Sequence, residues 1–126
     1  MGLQKYARLV ALTVLCLGAS LAFGVEAQEQ TFTLEVQGRK VVGTAGPIRV
    51  KQGDTVTLRW ITDEPVAIHL HGYEIEKVIK PEAPMTFSLK AHATGRFPIT
   101  AHGFGAQAHG GGHGDTVLVY LEVLPR

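Results

Sequence analysis

Val-Ala-Ile-His-Leu-His-Gly-Tyr, residues Val66 to Tyr73, is the stretch on which the reading of this chain turns. Val66, Ile68 and Leu70 alternate with Ala67, His69 and His71, the period-2 pattern of a β-strand with one buried face. Residues i and i+2 of a strand share a side and stand roughly 6–7 Å apart along the chain. His69 and His71 therefore present two imidazoles together. The chain has six His, and His102, His109 and His113 crowd into a Gly-rich stretch ahead of the last apolar run. Paired strand imidazoles plus a His-bearing loop suit a borderline metal such as copper or zinc. A solitary strand His would be read as an ordinary hydrogen-bonded side chain. The pair, with a second cluster downstream, favours a metal site made from His69, His71, His102, His109 and His113.

Outward from this stretch the chain reads as all-β. Phe32, Leu34 and Val36 alternate with polar neighbours, and Gln37-Gly38-Arg39 breaks that strand before Val41-Val42. Ile48 and Val50 form a short strand between the Gly46-Pro47 turn and the Gln52-Gly53-Asp54 turn. Val56, Leu58 and Trp60 alternate next, and Pro65, which cannot donate to a ladder, precedes the His-bearing strand. From Glu74 to Lys80 the positions of Ile75, Val78 and Ile79 fit a helical turn as well as an irregular strand. Met85, Phe87 and Leu89 alternate again, Ala93-Thr94-Gly95 turns the chain, and Phe97, Ile99 and Ala101 build the penultimate strand. After a loop from His102 to Gly114, Val117 to Leu124 closes the domain. Seven or eight short strands without a long helix predict a Greek-key β-sandwich.

Met1 to Ala27 reads as a cleavable signal peptide. Lys5 and Arg8 make a positive start, Leu9 to Val25 is apolar or small, and Val25-Glu26-Ala27 offers a cleavage site. The expected location is the periplasm or the exterior, with no membrane attachment after cleavage. Residues 28–126 then form one small domain. The single cysteine, Cys16, leaves with the leader, so no disulfide staples that domain. Loss of Lys5, Arg8 and Glu26 leaves the charge balanced, which gives no basis for a nucleic-acid partner.

Several motifs in this order carry a resemblance. Gly53-Asp54-Thr55-Val56, a His-bearing strand, Phe87-Ser88-Leu89, Ala93-Thr94-Gly95-Arg96-Phe97 and a last strand ending at Pro125 together resemble the cupredoxin family. His69-Leu70-His71-Gly72 is also similar to the His-x-His-Gly motif of multicopper oxidase domains. The resemblance implies a cupredoxin-like Greek-key sandwich with His69 as a copper ligand. It draws the other ligands from the segment between the penultimate and last strands, and puts His92 at the opposite end. It also suggests that Gly72, lacking Cβ, lets the backbone pass close to the site. The chain departs from the family where a ligand Cys is expected, a place that falls at Ala101 or His102. A His₂Cys blue-copper site is thereby excluded for residues 28–126, and Met85, in a different strand, reads as core. The expected site is all-His, with Cu(II) favoured by the usual affinity order and zinc as the alternative ion. The expected role is metal binding, buffering or delivery, with a metal-donor or acceptor protein as partner. Two other roles compete with it: a small copper enzyme with superoxide-dismutase-like chemistry, and a metal-free interaction domain.

Overall fold

The computed structural model describes residues 24–44, 46–108 and 114–126. Residues 1–23 of the expected leader, His109 and His113 lie outside the described residues. Among the described residues nine strands follow in order: β1 (Glu29–Gln37), β2 (Lys40–Val42), β3 (Ile48–Lys51), β4 (Thr55–Thr62), β5 (Val66–Leu70), β6 (Ile75–Ile79), β7 (Met85–Lys90), β8 (Gly95–Phe104) and β9 (Thr116–Leu124). One sheet has the order β2-β1-β4-β7 and the other β3-β9-β8-β5-β6. The chain crosses between the sheets after β2, β3, β4, β6 and β7, which yields a β-sandwich of mixed pairing. β1 runs parallel to β4, and β3 parallel to β9, while the other strand pairs are antiparallel.

Alternation supplies the core. Leu34, Val36, Val56, Leu58 and Trp60 come from the four-stranded sheet, and Ile68, Leu70, Ile99, Leu121 and Val123 from the other; all are buried. Met85 and Phe87 pack against this cluster from β7. Burial of such side chains contributes about 25 cal/mol per Å² of apolar area, the main support for a domain without disulfides.

The ambiguous Glu74–Lys80 run is a strand. β6 pairs antiparallel with β5, Leu70 opposite Ile75 and Val66 opposite Ile79, so its backbone groups are satisfied by a neighbour rather than by a helical turn. Strand β5 stops at Leu70, but the His71 amide still donates to the Pro98 carbonyl at 3.1 Å, keeping His71 on the line of the strand. Strand β8 runs past His102 to Phe104, further than the sequence suggests, because Gly103 and Phe104 pair with Ala67 and Val66. A β-bulge makes this extension. Consecutive Ala67 and Ile68 pair with Gly103 and Ala101, and His102 is the extra residue between them.

Candidate metal centre

With Ile68 and Leu70 in the core, strand alternation directs His69 to the opposite side of the five-stranded sheet. Its register partner on β8 is Thr100, and the bulged His102 follows two residues on. Bulges re-aim side chains, and this one leaves the His102 ring 5.1 Å from the His69 ring, centroid to centroid. The His71 ring lies 4.1 Å from that of His69. Ligand nitrogens of His69, His71 and His102 all fall within 4.8 Å of one another, and each residue is half-buried. Among the described residues these three form a metal-competent group; His92 is not in it. The His92 ring instead lies 4.9 Å from that of Tyr73, beyond the end of β5.

Polar groups surround the three rings. His69 Nδ1 meets His102 Nε2 at 3.0 Å. The other nitrogen of His102, Nδ1, lies 2.7 Å from Asp115 Oδ1, and His69 Nε2 lies 3.5 Å from Glu74 Oε2. His71 Nε2 contacts the Thr100 hydroxyl at 2.9 Å, and Thr100 itself is only 4% exposed. Metal-ligating imidazoles are commonly fixed through their second nitrogen by a carboxylate or another acceptor. Thr100 is such a partner for His71, and the carboxylates of Asp115 and Glu74 lie near the outer nitrogens of His102 and His69; nothing in the spacing of the His residues pointed to them.

The donor set fits a borderline ion. Neutral imidazoles suit copper, zinc and nickel. Two nitrogens bound at 2.0–2.1 Å stand about 2.9 Å apart when cis at a right angle and about 3.3 Å apart in a tetrahedron. The 3.0 Å between His69 and His102 matches an edge of such a polyhedron. The side-chain exposures of His69 and His102, 18% and 29%, leave the group open to solvent on one side.

Gly72 has a different use from the one the family resemblance suggested. Its φ is +79°, and a Cβ there would come within 2.4 Å of the Phe97 ring. The glycine admits Phe97 beneath the turn that follows His71, and so supports the site through packing.

No protein-family model matches the chain, and no curated protein sequence does. Similar solved structures share its fold. A copper nitrite reductase from Nitrosomonas europaea superposes with a TM-score of 0.58 at 18% identity, over 79% of this chain and 42% of the other. A chain of a heme-copper terminal oxidase dimer gives 0.54 at 16% identity, over 77% of this chain and 65% of the other. A multicopper oxidase gives 0.54 at 16% identity, over 79% and 45%. The match thus spans less than two thirds of each neighbour's length. At these identities the likeness speaks for fold, and with the two-sheet strand order it shows that this chain has the cupredoxin-like fold.

Proposed function

We propose that this chain is an exported copper-binding protein that holds Cu(II) between His69, His71 and His102 and buffers the ion or hands it to an acceptor protein. The observation that carries the proposal is the 3.0 Å approach of His69 Nδ1 to His102 Nε2, with a carboxylate on the far nitrogen of His102. The copper proteins among the structural neighbours support copper over zinc, as does the order of divalent-ion affinities. Electron transfer of the blue-copper kind is disfavoured, because residues 28–126 contain no Cys to supply a thiolate. His109 and His113 stand in this proposal as further nitrogen donors on the strength of the sequence.

The test is titration of the purified protein with Cu(II) against a weak chelator, followed by absorption spectroscopy. One ion should bind tightly, without an intense thiolate band in the visible range. Affinity should fall on acidification, because protons compete with the ion for imidazole nitrogen. Failure to take up either Cu(II) or Zn(II) would remove the proposal.

A further inference from the structure

The lead-in to β1 is held at Gln28 from both sides. Its carbonyl accepts the Thr55 amide at 2.8 Å, and its own amide donates to Asp54 Oδ1 at 3.0 Å. Asp54 is 1% exposed, and its Oδ2 accepts from the Gln30 side chain at 2.8 Å and the Lys51 amide at 3.0 Å. Residues 24–28 are exposed and lie outside any strand, and the Glu26 carbonyl accepts from Arg126 Nη1 at 2.6 Å. Gln28 is also the first residue left when the leader ends at Val25-Glu26-Ala27. Hydrolysis of the Ala27–Gln28 bond consumes one water and leaves a carboxylate on Ala27 and an amine on Gln28. That amine is the nitrogen already aimed at Asp54.

We propose that removal of the leader after Ala27 converts this amide contact into an ion pair between the Gln28 α-ammonium and buried Asp54, and that the pair protects the new terminus. The nitrogen keeps its place because the Gln28 carbonyl stays bonded to Thr55. An amide offers Asp54 one N–H and no charge, whereas an ammonium brings a full opposite charge to a carboxylate shielded from water. Arg126 pairs with the same oxygen and opposes a second cation; its side chain is 20% exposed, and loss of Glu26 frees its Nη1 to turn to solvent. The other cations lining this cavity are Arg49, paired with Glu122 at 2.7 Å, and the exposed Lys51. A free N-terminal glutamine closes on itself. Its unprotonated amine attacks the side-chain amide carbon, a C–N bond forms, ammonia leaves and an uncharged pyroglutamyl ring remains. A protonated amine has no lone pair for that attack, so the pair with Asp54 keeps the glutamine open. The inference is independent of metal binding and rests on the expected leader.

Intact mass and amine labelling of the protein exported from the full chain test it. The mature mass should begin at Gln28 with no ammonia lost. At about pH 7 an acylating reagent should label the Gln28 amine at least roughly tenfold more slowly in native protein than in urea, the usual effect of an adjacent opposite charge on ionisation. Asp54→Asn removes the charge and keeps the shape, so its native Gln28 amine should label near the urea rate, while Lys40 and Lys80, both exposed, label as in wild type. Arg126→Ala leaves Asp54 in place and should retain the protection, and it decides the matter where Asp54→Asn does not fold. Shielding by the fold alone predicts equal protection in Asp54→Asn and wild type, and that result overturns the inference. So does a different first residue, a terminus already cyclised, a native amine that labels as fast as in urea, or protection lost in Arg126→Ala. None of these outcomes bears on metal uptake.

Discussion

His69 occupies the middle of the proposed centre: its ring is 4.1 Å from His71 and 5.1 Å from His102, and its two nitrogens face a second imidazole and a carboxylate. His71 lies just past the end of β5, with one nitrogen engaged by Thr100. Removal of the central ligand should therefore cost more than removal of the peripheral one. His69→Ala should weaken Cu(II) binding by more than the roughly 10–100-fold expected for loss of a group that only contacts a ligand ring, and His71→Ala by less than His69→Ala. Chelator competition on both variants checks this, and wild-type affinity in His69→Ala would show that the site lies elsewhere. The candidate His69 and His71 were legible in the sequence because His is a scarce residue type set here at strand period. Asp115, Glu74 and Thr100 were not legible. Carboxylates and hydroxyls are common on any surface, and only the folded register brings these particular ones to the second nitrogen of each ring.

Strands β5 and β6, with the turn between them, form the element that presents His69 and His71, and that turn depends on Gly72. A side chain at φ +79° costs about 1–2 kcal/mol. The collision of a Cβ with the Phe97 ring adds an overpacking cost of about 1–3 kcal/mol. Gly72→Ala should lower stability by about 2–5 kcal/mol on these grounds. It should also weaken metal binding by displacing His71 from its place beside Pro98. Urea unfolding measures the first effect, and a midpoint indistinguishable from wild type would mean that the turn relaxes without cost. Alternation revealed β1, β4, β5 and β7, whose large apolar residues fall on one face, while β9 showed as a run apolar on both faces near its middle. It could not settle β6, since Ile75, Val78 and Ile79 satisfy two periods and a pairing partner far from local sequence decides between them. The bulge at His102 was likewise hidden, because register depends on both strands and the sequence shows them one at a time.

Asp54 secures the sandwich near the start of β4, where both ends of the domain meet. It is 1% exposed, accepts from the Gln28 amide at 3.0 Å, the Gln30 side chain at 2.8 Å and the Lys51 amide at 3.0 Å, and pairs with Arg126. One buried carboxylate thus joins the lead-in to β1, the turn before β4 and the last residue of the chain. The Gln28 amide holds the Asp54 carboxyl below the usual carboxylate range, helped by Lys51, Gln30 and Arg126 and opposed by burial. The sign of the linkage follows. A folded pKa below the unfolded value, about 3.9 for Asp, contributes stability that is present in full above the unfolded value. That contribution is lost progressively as pH falls towards the folded pKa. Asp54→Asn lacks the charge at every pH and resembles the protonated wild type in shape. Its urea midpoint should lie well below that of wild type at neutral pH, and the two should converge as pH drops below about 4. Midpoints that run parallel down to pH 2 would show that the acid sensitivity of the sandwich comes from other carboxylates. Convergence would identify Asp54 as the group whose protonation loosens both ends of the domain together.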